Sequence, residues 1–352
     1  MKALLRMPAN LDAFLATMVT PSQPIPTGSI LGLMRQHYGF EPRVTRLTGE
    51  RDENFRLTAD DGAEYVLKIA NPAESPLETD LQTAALLHIE KTDPTLPCPR
   101  VLRARTGGTY VGFVDECGAP RTARVVTYLP GQLLGASARS QRQRSACGRL
   151  GARLTLALRG FEHPAARRAI VWDLRHSGHM RWLLEELPRF PYQSAARGLL
   201  ERLVPCIESQ LPQLRQQMVH NDLNPLNILV DPTDEERVTG VIDFGDMTHT
   251  ALIADVAVCA AELIPPDCSD PKEAHESILD VTSAYHACVR LLQEELALLG
   301  ALVAARLLMT LVIHEWHVQR NPSSDHFKAL DENFMRTRLH IADRSLLEEI
   351  RL

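Results

Sequence analysis

Residues 219–245 read VHNDLNPLNILVDPTDEERVTGVIDFG. They place His220, Asp222 and Asn227 in an H-x-D-x-x-x-x-N block, and Asp243 heads a D-F-G sixteen residues after Asn227. That spacing is what phosphoryl transfer asks for. One carboxylate accepts a hydroxyl proton, and an Asn with a second carboxylate holds Mg²⁺. Mg²⁺ takes hard oxygen ligands, few of them from protein, so an Asn/Asp pair is chemically sufficient. The flanks, Met218–Val219, Ile228–Val230 and Val238–Phe244, are short apolar runs that read as buried strands carrying the polar residues at their ends.

Working outward, the chain before this segment changes character near Val126–Gly131. Val44 and Leu47, then Phe55 and Leu57, then Tyr65, Leu67 and Ile69 follow strand spacing, and 78–90 reads as a helix. More short strands are expected over 100–127, separated by Gly107–Gly108 and Gly118. After Pro130–Gly131 come helical segments at roughly 137–160, 179–187 and 194–210. Residues 1–20 have the apolar spacing of an amphipathic helix (Leu4, Leu5, Leu11, Phe14, Leu15, Met18), and Pro21–Pro26 is a proline-rich connector that cannot continue it. The expected organisation is an extension and linker over 1–24, a strand-rich nucleotide-binding lobe over 25–128, and a helix-rich lobe over 129–352 with the metal and substrate site. This is an α+β, two-lobed protein-kinase-like fold, with the nucleotide expected in the cleft between lobes and Val126 and Tyr128 of the hinge among its contacts.

Lys68 stands in an otherwise apolar strand, YVLKIA, where an unpaired ammonium is expensive to bury. It reads as the lysine that holds the ATP phosphates, against the plainer reading of a strand-edge lysine reaching solvent. The hairpin before it, Gly49 to Asn54, is not G-x-G-x-x-G, and no G-x-x-x-x-G-K-[ST] occurs, so P-loop enzymes are excluded. Backbone N–H groups of a tight turn can still meet a phosphate, and Arg51 is a candidate helper.

GERDENF (49–55) ahead of YVLKIA (65–70), LPG (129–131), HPAARRAIVWDLR (163–175), HNDLNPLNILVD (220–231) and VIDFGDM (241–247) together resemble the aminoglycoside phosphotransferase superfamily, which includes the choline kinase-like enzymes. Within it the chain looks most like the hydroxylysine-kinase-type branch, including kinase-like domains fused to class III aminotransferases. The likeness covers about residues 28–345. It implies ATP, Mg²⁺ and a small hydroxylated amine or amino acid, with Asp222 as base, Asn227 and Asp243 as metal ligands, Lys68 on the phosphates and His220 bracing the loop. Two departures stand out. Asn221 replaces the usual Gly, and the helix position of the ion-pairing Glu falls on Gln82, with Glu78 and Asp80 nearby. Trp172, Asp173 and Arg175 lie where the family's substrate pocket begins. Asp246 and Glu262 could offer charge to a cationic substrate. Arg175 is the candidate for a carboxylate. Asp255 reads as a buried Asp that fixes backbone near the D-F-G.

Among acceptors, 5-hydroxylysine-like amino acids lead, ahead of ethanolamine, choline or homoserine-type alcohols and aminoglycosides. A protein kinase is disfavoured, since about ten residues separate the D-F-G from the next helix and A-P-E is absent. A nucleotide-binding pseudokinase acting as a partner module is the alternative of another class, kept open by Gln82. The net charge of −6 argues against a nucleic-acid partner. Eight arginines against the single acid Glu162 across 139–168 read as a solvated helix face, with a phosphate-attracting patch as the minority reading. Seven scattered cysteines without C-x-x-C fit free thiols. Lys2 and Arg6 are followed by Asp12 without a long apolar core, so no secretory signal is expected. The most apolar stretch, Leu296–Ile313, is broken by Arg306, so no membrane span is expected. The expectation is a cytoplasmic enzyme. His314 and His317 flank Glu315–Trp316 without forming H-E-x-x-H and read as a helix face.

Overall fold

The structure, a computed structural model, describes residues 20, 24–49, 51–320, 328–347 and 350–352. The helix expected over 1–20 lies outside the described residues apart from Thr20, as do residues 21–23 of the linker and Glu50 of the hairpin. The described chain forms two compact units. One takes residues up to Pro130 together with 162–166, and the other takes 131–161 and 167 onward.

The first unit begins with α1 (Thr27–His37) and is built on an antiparallel sheet. Its strands are β1 (Arg43–Leu47), β2 (Glu53–Thr58), β3 (Glu64–Ile69), β4 (Val101–Leu102), β5 (Val111–Val114) and β6 (Pro120–Thr127), with α2 (Pro76–Thr92) between β3 and β4. The order is β1-β2-β3-β6-β4, and β5 also pairs with β6. Strand alternation separates two jobs. Phe55, Leu57, Leu67, Ile69, Ala123 and Val125 turn to one face and are buried with Ile30, Leu33 and Met34 of α1. The register sets Asn54, Lys68 and Arg124 in one row on the opposite face. The α2 helix opens with a capping box, in which Ser75 and Glu78 satisfy each other's backbone N–H groups.

The second unit contains β7 (Gln132–Leu133), α3 (Gln141–Ala157), a 3₁₀ turn at Leu174–His179, α4 (Met180–Glu185) and α5 (Gln193–Gln210). Next come β8 (Gln216–Val219), β9 (Ile228–Asp231), β10 (Asp234–Val241) and β11 (Thr248–Ala251). The chain then runs through α6 (Leu252–Glu262), α7 (Pro271–His286), α8 (Gln293–Arg320) and α9 (Glu332–Leu347). Two small antiparallel sheets, β10-β9-β7 and β11-β8, hold the two ends of the signature segment. Two residues, Asp246 and Met247, separate Gly245 from Thr248 of β11, and α6 follows at once, so no activation segment intervenes. The central helix is α8. Its length and composition would suffice to cross a membrane, yet 89% of its most apolar window is buried inside the protein. It is the core onto which α6, α5 and α9 pack.

The arginine-rich stretch is more occupied than a solvated face. Arg144 pairs with Asp280 of α7 at 2.8 Å. Arg139 donates to the carbonyls of Glu262 and Ile264 at 3.1 and 2.9 Å, and Arg168 donates to the carbonyl of Gly245. These three arginines tie helices and the D-F-G turn together, while Arg142, Arg149, Arg159 and Arg167 are exposed, so the expected solvated face holds for part of the stretch. All seven cysteines are free thiols.

Candidate active site

The loop between β8 and β9 is held from below. His220 is fully buried, and its Nε2 lies 3.2 Å from the Ile242 carbonyl, to which it donates in the neutral tautomer that lets Nδ1 accept from the Asp222 N–H. Burial depresses its basicity, so the ring stays neutral, and it packs edge-on against Phe244 at 4.9 Å. Asn221 has φ +66°, a left-handed backbone that Gly adopts freely and Asn tolerates, and this accounts for the residue at the position. Its N–H donates to Asp255 Oδ1 at 2.7 Å. Asp255 in the first turn of α6 therefore anchors the loop backbone from inside the protein, where burial raises its pKa.

Above this brace, Asp222 is gripped at both oxygens. Oδ2 accepts from Asn227 Nδ2 at 2.6 Å, and Oδ1 accepts from Arg306 Nη2 at 3.0 Å. Burial pushes Asp222 up to about 6, against the pull of Arg306 and with the push of Asp246 and Glu262. Arg306 is itself 3% exposed. It lies over the Trp172 ring at 4.6 Å and donates through Nε to Glu262 at 2.8 Å. Burial would raise the Glu262 pKa, but Arg306 and a 3.0 Å hydrogen bond from Thr310 outweigh it, so Glu262 stays ionised. Two carboxylates and an aromatic wall are thus organised around one buried guanidinium.

With its Nδ2 turned to Asp222, Asn227 keeps its carbonyl oxygen for a cation. Its backbone oxygen accepts from Ile242 N–H at 2.9 Å, next to Asp243 in the chain. Asp243 is exposed, has φ +60° and accepts from the Gly245 N–H at 3.2 Å. Two hard oxygen donors on strand ends suit Mg²⁺, which fills its remaining positions with phosphate and water. No group of three or more His, Cys, Asp or Glu that could hold a metal occurs among the described residues.

Other candidates fall differently. Arg175 already has protein partners in this structure. Its Nε donates to Asp173 at 2.8 Å and its Nη2 to Thr248 at 3.2 Å. Asp173 is fully buried and also caps the 3₁₀ turn through the Arg175 N–H. The two residues neutralise each other, because a buried carboxylate cannot stay unpaired. Trp172 and Glu262 meet through Arg306, and Asp246 is close enough for its charge to act on Asp222.

In the strand-rich unit, Lys68 Nζ lies 3.9 Å from Asp52 Oδ2. Gln82 does not serve Lys68 as expected, since its side chain bonds Arg124 and Glu74. Glu78 closes the cap of α2, and Asp80 faces His163 at 3.1 Å. Val126 is buried in β6 between Val66 and Val101. Tyr128 gives its N–H to the Glu64 carbonyl at 3.0 Å and its ring to Arg56 at 4.3 Å. Arg51 sits partly buried in the hairpin, and its carbonyl accepts from Asn71 at 3.5 Å.

The sequence reading missed Arg306, Asp52 and Arg124. Arg306 had a signal: it is a lone cation in an apolar run, and burial forces such a residue to find partners.

Comparison with known proteins places the chain in a family. The model of the phosphotransferase enzyme family matches residues 43–277. A hydroxylysine kinase of Mus musculus is 27% identical over 322 residues, which cover 84% of this chain and 83% of that protein. Among solved structures, an amicoumacin kinase in complex with AMP-PNP, Ca²⁺ and Ami superposes with a TM-score of 0.68 at 16% identity, covering 90% of this chain and 93% of that one. A microcompartment-associated aminopropanol kinase gives 0.62 at 20% identity, covering 91% and 95%. At such identities the structures establish the fold, which is the kinase-like α+β fold.

Proposed function

This chain belongs to the phosphotransferase enzyme family, and on that premise we propose that it phosphorylates an amino compound of the 5-hydroxylysine type, with ATP as donor and Mg²⁺ as the metal. The enzyme is a small-molecule kinase acting on a hydroxyl group. Asp222 accepts the proton of that hydroxyl as its oxygen bonds to the γ-phosphorus and the bridging oxygen leaves with ADP. The grip of Asn227 and Arg306 on the two carboxylate oxygens orients the base before substrate arrives. Mg²⁺ held by Asn227 and Asp243 would draw the nucleotide phosphates together and offset their charge. Lys68 of the strand-rich unit is the cation for the phosphates.

The observation that carries the amine reading is the charge around the base. The charges of Asp246 and Glu262 both act on Asp222 there, and Arg306 bridges Asp222 and Glu262. A partly desolvated site of that sign attracts an ammonium group. The name of the mouse relative supports the hydroxylysine class. The test is ADP release from ATP with a panel of 5-hydroxylysine, homoserine, ethanolamine, an aminoglycoside and a neutral sugar. The expected order puts 5-hydroxylysine first by kcat/KM. A neutral sugar that outperforms every amine would remove the amine reading and leave only the kinase.

A further inference from the structure

Lys68 and Arg124 stand directly opposite each other across the β3–β6 ladder. Like charges in that relation destabilise an antiparallel pair. Both are also withdrawn from water, with side chains 14% and 3% exposed. Asp52 stands between them, its Oδ2 3.9 Å from Lys68 Nζ and 3.7 Å from Arg124 Nη2. Both distances are beyond a proper hydrogen bond, so this carboxylate balances charge without saturating either donor.

The rest of the pocket fixes Arg124 in place. Its Nη2 donates to Gln82 Oε1, and Gln82 Nε2 donates onward to Glu74 at 3.3 Å. Burial and the charge of Asp52 push Glu74 up to about 7, so the cluster carries less negative charge than its count of acids suggests. Meanwhile Arg124 Nη1 is buried with no hydrogen-bond partner among the described residues. A purely structural arginine would be expected to spend that donor.

We propose that Arg124 and Lys68 form a two-cation subsite for the phosphates of the nucleotide, with Asp52 as the internal counterion that phosphate displaces. The guanidinium supplies planar, paired N–H donors for phosphate oxygens, and the ammonium a point charge beside it. Gln82, at the helix position where a Glu would pair with the lysine, aims the arginine instead. This proposal rests on the reading of the chain as an ATP-dependent kinase and adds a residue to its donor site.

Calorimetric titration separates the possibilities, using MgATP and adenosine as probes on the full chain. Arg124→Gln is expected to weaken MgATP binding about 10-fold or more while leaving adenosine within about 2-fold, as loss of a charge-assisted hydrogen bond predicts. Asp52→Asn is expected to tighten MgATP, because the competing carboxylate is gone. Should Arg124→Gln fail to fold, Arg124→Lys retains the charge without the fork, and a loss of a few-fold for MgATP alone is expected. Equal losses for MgATP and adenosine, or none for MgATP, would assign Arg124 a structural role and overturn the proposal. Weaker MgATP binding by Asp52→Asn would overturn the counterion role. Lys68→Met serves as the reference. If it loses MgATP affinity while Arg124→Gln does not, this inference alone fails. If neither wild type nor variant binds MgATP, the donor reading itself fails.

Discussion

Arg306 shows how much of the site depends on one buried side chain. Its three contacts, to Asp222, Glu262 and the Trp172 ring, convert separate residues into a single constellation. Replacing it with an apolar residue leaves two carboxylates facing each other without their cation, and removes one of the two hydrogen bonds that orient the base. Arg306→Met should therefore lower kcat by about 10- to 100-fold, with Arg306→Lys recovering part of the loss and the KM for ATP little changed. Steady-state kinetics at saturating ATP checks this, and a variant with wild-type kcat would remove Arg306 from the machinery. Legibility followed a physical divide at this scale. Asp222, Asn227 and Asp243 were readable because their spacing lies within one local segment. Arg306 lies 84 residues from Asp222, and Arg124 42 residues from Gln82, so their roles depend on tertiary packing that no local pattern encodes. The pairing of Arg175 was hidden for a related reason, since its neighbour two residues away, Asp173, turns inward and takes its Nε donor.

Elements were legible where periodicity ran long. The helix expected over 78–90 spans Pro76–Thr92, and that expected over 194–210 spans Gln193–Gln210. The segment expected over 137–160 narrows to Gln141–Ala157, with Ser140 as its cap. Short pieces such as β7, with two residues, carry no period and were not anticipated. Helix contact follows its own rule, and Gly148 of α3 illustrates it. A Cβ there would lie 2.3 Å from the Val281 carbonyl oxygen of α7, so the two helices approach closely only because the position is Gly. Gly148→Ala should force them apart and cost about 1–3 kcal/mol, despite the better helix propensity of Ala. Denaturant unfolding measures this, and a variant as stable as wild type would show that the helices separate freely.

For the whole molecule, stability should carry a pH signature from Glu74. Its pKa near 7 lies above the ordinary carboxylate value near 4.5, so the folded chain binds the extra proton between those values. Stability contributed by this group therefore falls as pH rises from about 4.5 to about 7, and stays low above that. Glu74→Gln removes the penalty, and Gln still offers an oxygen to Gln82. The variant should melt a few °C above wild type at pH 8, with the gap closing as pH approaches 4.5. A gap that is the same at both pH values would remove Glu74 as its source.

The fold and the family make this chain a small-molecule kinase, and the central proposal is that Asp222 is its base. The most direct test is the rate of ADP release from MgATP in the presence of 5-hydroxylysine, compared between wild type and Asp222→Asn, with nucleotide affinity measured alongside. The account predicts acceptor-dependent turnover by wild type, a kcat about 10²- to 10⁴-fold lower in the variant, and nucleotide binding nearly unchanged. A variant that retains more than about a tenth of wild-type kcat would contradict the role assigned to Asp222.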